Sequence, residues 1–246
     1  ILEVDGAPGS RFAARFTVVR APNSFRSEVS LPHEDGYQER WYALRVRLDP
    51  GWVADDSNGD DIVIQWHGIP GNWRPTHPNL AISVQGDSWR IRQTFGSPQA
   101  NPTRSSVRVD GTIQPGAWVS WVIHARWSAG DDGRVRIWKD GALVLEHRGI
   151  NIYNTIGVEY TPYMKTGIYH PEWHLDDPAR RARYEKAKPV ATSRVVYITD
   201  VVVGAGYACV LRPSGFVDCW GTLPGAGAIT APAARVIGME GVVQLV

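Results

Sequence analysis

Apolar and polar residues alternate with a period of two along most of the chain, which is the pattern of half-buried β-strands. Clusters of Gly, Pro, Asp and Asn separate the alternating segments and predict turns between antiparallel strands. Many short strands at this spacing indicate an all-β fold, either a two-sheet sandwich or a β-jelly roll. The clearest predicted strands are Phe12–Val19, Glu39–Leu48, Asp61–His67, Leu80–Gln85, Trp89–Phe95, Val119–Trp127, Val135–Trp138 and Val195–Val203.

Two short segments carry other local signals. Residues 139–141, Lys-Asp-Gly, predict a tight hairpin turn between two apolar runs. Asp177 can cap a helix over residues 178–188, where good helix formers continue until a proline. We interpret its arginines as a solvated face: Arg180, Arg181 and Arg183.

The composition changes after Gly204, where Gly, Ala and Pro become dense and charged residues sparse. We therefore predict a main domain at 1–203 and a short C-terminal tail at 204–246. Residues 204–221 and 238–245 of this tail resemble one repeat of the regulator of chromosome condensation family. A propeller needs several repeats, so we expect the tail to be a truncated remnant that packs on the main domain or is partly disordered. Cys209 and Cys219 fit one local disulfide, and two buried thiols almost as well.

The composition suits a large core, because 43% of the 246 residues are hydrophobic. A net charge of +1 argues against a general nucleic-acid binder, and no apolar run approaches the roughly 20 residues of a membrane span. The eleven tryptophans can fill a β core or stack on sugar rings. We expect about a third of them to face a ligand.

Strand alternation brings several polar side chains onto shared faces. In Asp61–His67, the residues Gln65 and His67 share a face with Val63, while Trp66 points the other way. Any single pair of this kind is ordinary for a half-exposed strand, but the combination indicates a binding or catalytic face. The polar residues placed in this way are Arg26, Glu28, Gln65, His67, Arg90, Arg92, Tyr163, Lys165 and Tyr169.

Three segments resemble, in the same order, the signature blocks of alginate lyases with a jelly-roll fold. They are Arg26-Ser-Glu-Val, Gln65-Trp-His67 and Tyr163-Met-Lys-Thr-Gly-Ile-Tyr169. Wider phrases at 39–44, 64–68, 135–141 and 163–173 are similar to the polysaccharide lyase group that contains glucuronan lyases and heparin lyase I. The resemblance covers the whole of the predicted main domain and implies a jelly roll with a concave substrate cleft.

The resemblance implies cleavage of a 4-linked polyuronate by β-elimination. Such an enzyme must neutralise the uronate carboxylate before the C5 proton can leave, and the resemblance assigns this work to Gln65 with Arg26. It assigns the acid to Tyr169, which could also be the base, while His67 is the other base candidate. Lys165, on the same strand face, is expected to supply a cationic field to the tyrosine.

Further residues are expected to bind the substrate. Glu28 and Tyr163 lie in the signature blocks, Arg74, Arg90 and Arg92 are candidates for subsite carboxylates, and Trp73 or Trp66 could stack on sugars. The first block has Ser30 where alginate lyases close with Arg, and the third ends in His170-Pro171 instead of an amide. Both departures disfavour alginate and leave β-1,4-glucuronan ahead of a heparin-like chain, because no dense basic groove is evident.

The resemblance also implies a structural Ca²⁺ held by Glu3 or Asp5 together with Asp200, and no cofactor for catalysis. We expect a secreted, extracellular monomer whose partner is an acidic polysaccharide, without nucleic-acid or membrane partners. The main rival is a non-catalytic carbohydrate-binding jelly roll, which would not require Gln65, His67, Lys165 and Tyr169 to share a face. A glycoside hydrolase would need a carboxylate pair that the strands do not present.

Overall fold

A computed structural model describes residues 2–5, 12–21, 24–31, 39–53, 59–68, 77–97, 102–153, 162–174, 178–186, 193–204, 207–211, 217–223 and 227–235. Two antiparallel sheets form the main domain, as the strand pattern predicts for a jelly roll. In spatial order, the seven-stranded sheet contains β1 (Leu2–Asp5), β2 (Phe12–Val19), β13 (Ser193–Gly204), β4 (Glu39–Leu48), β9 (Trp118–Arg126), β10 (Arg134–Lys139) and β11 (Ala142–Arg148). The six-stranded sheet contains β3 (Arg26–Ser30), β12 (Tyr163–Tyr169), β5 (Asp61–His67), β6 (Leu80–Gln85), β7 (Ser88–Phe95) and β8 (Thr103–Arg108).

The core lies between the two sheets and is rich in tryptophan. Trp66, Trp121 and Trp127 are completely buried there. Of the nine tryptophans whose side chains are described, seven are buried, so the expectation that a third face a ligand is wrong for this set. The two half-buried ones, Trp52 and Trp118, lie against the guanidinium groups of Arg194 and Arg47.

The predicted local elements form where their residues favour them. Asp140 and Gly141 both have positive φ, 50° and 84°, as a two-residue hairpin turn between β10 and β11 requires. A helix, α1, covers Pro178–Lys186 and follows a short 3₁₀ helix at Pro171–Trp173. The proposed cap, Asp177, lies outside the described residues. Among the described residues, no helix has the length and apolar character that a membrane crossing needs.

The tail forms a separate three-stranded sheet of β14 (Tyr207–Leu211), β15 (Val217–Leu223) and β16 (Gly227–Arg235). β14 contacts β4, β9 and β13 on the seven-stranded sheet. Trp41, Val122 and Trp138, on β4, β9 and β10, are buried although they lie outside the main core. Cys209 lies directly opposite Cys219 in the β14–β15 pair, a backbone arrangement compatible with the predicted disulfide. The disulfide and the resemblance of the tail to a propeller repeat stay predictions.

Candidate active site

The polar residues selected from the sequence meet on the face of the six-stranded sheet that is turned away from the core, here termed the site face. Met164 and Ile168 of β12 belong to the core. Tyr163, Lys165 and Tyr169 are in the opposite phase of the strand and face the other way. The strand register aligns them with residues of the neighbouring strands, because paired residues point to the same side. The aligned pairs are Tyr169 with Arg26, Lys165 with Gln65, and Tyr163 with His67.

An irregularity in β5 changes which residues reach the site face. The register between β5 and β6 shifts between Ile62 and Ile64, and both Val63 and Ile64 belong to the core. The prediction that Val63 shares a face with Gln65 is therefore wrong. A bulge of this kind re-aims the residues before it, and Asp61 is buried, with only 3% exposed.

Gly167 brings β3 and β12 into unusually close contact. Its φ of 142° is one that side chains rarely adopt, and a Cβ at this position would collide with the Ser27 carbonyl oxygen and lie 2.7 Å from the Glu28 Cα. Only glycine fits such an approach. This contact places Arg26 and Glu28 beside the catalytic candidates of β12 and β5.

The amide of Gln65 is held by the carboxyl group of Glu28. Gln65 Nε2 donates to Glu28 Oε1 at 2.5 Å, and both side chains are buried. Burial raises the pKa of Glu28, while the Gln65 hydrogen bond and the charges of Arg26 and Lys165 oppose the increase. Glu28 therefore acts on Gln65, whereas the sequence had suggested contact with substrate.

The ring of Tyr169 lies against the guanidinium group of Arg26. The Arg26 guanidinium carbon is 4.6 Å from the centre of the Tyr169 ring, and Phe25 packs edge-on against the same ring at 6.0 Å. Burial raises the pKa of the Tyr169 phenol, and the charges of Arg26 and Arg180 oppose this increase. Arg180, on α1, is half-buried, so interpreting it as part of a solvated face was wrong.

Lys165 is oriented toward a different tyrosine. Its Nζ lies 5.1 Å from the ring centre of Tyr163, whose ring centre is 6.3 Å from that of His67. The cationic field at Tyr169 comes chiefly from Arg26 and Arg180, whereas the sequence had suggested Lys165.

Gln65 stands between the two candidate bases. Tyr169 pairs with Ile62 at one end of β5, and Tyr163 pairs with His67 at the other. Five positions of an extended strand separate Ile62 from His67, which is roughly 15 Å. A sugar whose carboxylate is bound by Gln65 would therefore have Tyr169 toward one end and His67 toward the other.

The part of the site face formed by β7 and β8 is rich in arginine. Arg90 and Arg92 alternate with the core residues Trp89 and Ile91, as predicted, and Arg92 forms an ion pair with the buried Asp60. Burial raises the pKa of Asp60 against the charges of Arg92 and Arg90. Strand β8 adds two arginines that the sequence analysis missed, because its residues lack an apolar alternation; they are Arg104, opposite Thr94, and Arg108, opposite Arg90.

Of the two tryptophans predicted to stack on sugars, only Trp66 lies among the described residues. Trp66 is fully buried in the core, edge-on to Tyr42 at 5.0 Å, so the prediction that it binds sugar is wrong. Its position in β5, opposite in phase to Gln65, is the physical reason. Trp73 and Arg74 lie outside the described residues.

One of the predicted calcium ligands, Asp200, is already paired with an arginine, and the calcium site stays a prediction. Asp200 Oδ2 accepts a hydrogen bond from Arg45 Nε at 2.6 Å, and the Arg45 side chain is buried, so this carboxylate already faces a positive charge. The side chains of Glu3 and Asp5, on β1, lie outside the described residues. The described part of the chain also holds no group of three acidic, His or Cys side chains arranged for a metal.

Comparisons with known proteins agree with the fold. An endo-β-1,4-glucuronan lyase from the fungus Trichoderma reesei superposes with a TM-score of 0.61 at 25% identity, covering 79% of this chain and 82% of that one. An alginate lyase from Pseudomonas aeruginosa superposes with a TM-score of 0.50 at 16% identity, covering 78% of this chain and 82% of that one. No curated protein matches the chain in sequence. The family model described as polysaccharide lyase matches residues 3–202, and the chain therefore belongs to the polysaccharide lyase family.

Proposed function

We propose that this protein cleaves a 4-linked polyuronate by β-elimination and that its substrate is β-1,4-glucuronan. The observation that carries the proposal is the buried amide of Gln65, held by Glu28 next to the Tyr169–Arg26 pair. The similarity to a fungal glucuronan lyase, at 25% identity over most of both chains, supports this choice of polymer. We further propose that the protein is secreted, because such polymers are extracellular.

Gln65 and Arg26 would neutralise the uronate carboxylate. Removal of the C5 proton places negative charge on this group, so hydrogen-bond donors fixed beside it lower the barrier. Gln65 is buried and cannot swing away, while Arg26 is 44% exposed and can reach a ligand in the cleft. The pair thus combines one fixed donor with one mobile charge.

Tyr169 would remove the C5 proton and return a proton to the leaving O4. On a β-1,4-linked glucuronate these two positions lie on the same side of the ring, so one phenol can serve both. The phenol must first ionise, and Arg26 and Arg180 favour the phenolate against the effect of burial. We assign His67, at the other end of β5, to binding of a neighbouring sugar.

A sulfated glycosaminoglycan is the second candidate substrate. Arg90 and Arg92 on β7, with Arg104 and Arg108 on β8, give the site face more positive charge than the sequence analysis anticipated. Arginine suits sulfate as well as carboxylate, because its planar fork binds either anion through two hydrogen bonds. Alginate remains a weaker alternative on the grounds of Ser30 and His170.

The test is ultraviolet absorbance of the unsaturated uronate product during incubation with glucuronan, alginate, heparin or hyaluronan. We expect glucuronan to give the largest signal and Tyr169→Phe to abolish it. A larger signal with heparin would select the second candidate. No signal from any polymer, with glycan binding retained, would instead indicate a non-catalytic carbohydrate-binding jelly roll.

A further inference from the structure

The Glu28 carboxyl group is only half satisfied in its buried position. Oε1 accepts the hydrogen bond from Gln65 Nε2, and only 4% of the side chain is exposed. Oε2 is buried and has no hydrogen-bond partner among the described residues, while Arg26 Nη1 lies 4.0 Å from it. A buried carboxylate with one oxygen left without a hydrogen-bond partner is costly, so one further negative charge nearby is enough to favour the neutral acid.

An ionised Glu28 would work against the role proposed for Gln65. The carboxylate takes one of the two amide N–H donors, and its charge repels the uronate carboxylate that the other donor must hold. A protonated Glu28 can instead donate its O–H to the amide oxygen of Gln65. Both amide N–H groups then point away from Glu28 and toward the sugar.

We infer that Glu28 is a positioning residue that takes up a proton when a uronate carboxylate binds, and that the neutral acid then holds Gln65 with both N–H donors facing the substrate. The inference rests on the proposed function, because it requires a uronate in the cleft. The proton comes from solvent and returns to solvent when product leaves, so it is not consumed in the elimination.

Charged groups from two strands face Glu28 and set the balance between its two protonation states. Arg26 on its own strand and Lys165 on β12 favour the carboxylate, yet burial outweighs them and the pKa of Glu28 lies above its ordinary value. A uronate carboxylate adds a like charge and raises this pKa further. Protonation also removes a negative charge that raises the pKa of the Tyr169 phenol, so it favours the catalytic base as well.

Isothermal titration calorimetry can measure the proton directly. A glucuronan oligosaccharide is titrated into the full chain carrying Tyr169→Phe, which blocks turnover, in buffers that differ in ionisation enthalpy. At neutral pH we expect net proton uptake on binding, no uptake when Glu28→Gln is added, and unchanged uptake when Glu146→Gln is added instead. Glu146 is a matched control, because it lies on β11, away from the site face.

Turnover gives the second readout, in the chain that keeps Tyr169. We expect Glu28→Ala to lower kcat about 10- to 100-fold, because it releases the Gln65 amide. Glu28→Gln should keep most of kcat. The wild-type KM should rise with pH as Glu28 loses its proton, and the KM of Glu28→Gln should not. Absence of proton uptake, or uptake that survives Glu28→Gln, would overturn the inference, and wild-type cleavage would still support the proposed function. Absence of both cleavage and binding would overturn both.

Discussion

His170 and Asp61 form a buried hydrogen bond directly behind the proposed catalytic tyrosine. His170 Nδ1 donates to Asp61 Oδ1 at 2.8 Å, and the backbone N–H of His170 donates to the Phe25 carbonyl, also at 2.8 Å. The other oxygen of Asp61 lies 3.1 Å from Nε of Arg194, which belongs to the opposite sheet. The residue that follows Tyr169 is thus tied to β5, to the segment before β3 and to the second layer of the fold.

This network predicts a large stability cost for Asp61→Asn. The change removes the charge that faces a buried arginine, and breaking a buried ion pair in this way costs about 3 kcal/mol or more. Urea unfolding of the wild type and the variant measures the difference. Asp132→Asn is the control, because Asp132 and its partner Arg126 are about half exposed and a solvent-screened pair of this kind should contribute little to stability. A similar small effect for both variants would contradict a structural role of the network.

Arg26→Ala should move the pH profile of kcat to higher pH. The pKa of Tyr169 already lies above its ordinary value, and Arg26 is the largest influence that opposes this increase. Without the guanidinium the phenol ionises at higher pH, so the rising limb of kcat should move to higher pH. Arg126→Ala, on the seven-stranded sheet and in an exposed ion pair with Asp132, is the control. An unchanged midpoint would mean that Tyr169 is not the group whose ionisation limits kcat.

Much of the site follows from the two-residue period of strands, which places Gln65, Lys165 and Tyr169 on one face. The same period puts Trp66 on the opposite face, so the sequence already contained the reason why it cannot stack on sugar. The burial of Asp61 could not be predicted, because one extra residue in β5 reverses the alternation before it. Strand β8 was not predicted, because all of its residues are exposed and an edge strand of this kind needs no alternation of apolar and polar residues. Arg180 acts on Tyr169 from a helix, a relationship that only the tertiary fold creates.

Asp60→Asn should gain stability relative to the wild type as pH rises. Burial raises the pKa of Asp60 in the folded chain, so the folded state binds more protons than the unfolded state between the ordinary and the raised value. The wild-type free energy of unfolding therefore falls as pH increases through this window. The amide of the variant does not titrate, so it contributes no such fall. Unfolding free energies from pH 4 to pH 7 should show the variant gaining on the wild type. A constant difference over this range would contradict the direction of the shift.

The two candidate bases should separate in kinetics. Tyr169→Phe removes the proposed acid and base and should lower kcat by about 1,000-fold or more, with the fold unchanged. His67→Asn should raise KM several-fold while keeping kcat, because we assign His67 to a neighbouring sugar at the other end of β5. Initial rates on glucuronan measure both. A loss of kcat in His67→Asn that equals the loss in Tyr169→Phe would make histidine the base and tyrosine the acid alone.

The close contact at Gly167 can be tested apart from its unusual backbone angle. Gly167→Ala introduces a Cβ at φ 142° that collides with the Ser27 carbonyl, so β3 must move away from β12. Gly111→Ala is the matched control, because Gly111 also has a positive φ, 93°, but no atom lies within 4 Å of an added Cβ. Both variants should lose about 1–2 kcal/mol for the backbone angle, and Gly167→Ala should lose more and also most of kcat. Equal stability losses with intact kcat would show that the approach of β3 to β12 does not position Arg26 and Glu28 for catalysis.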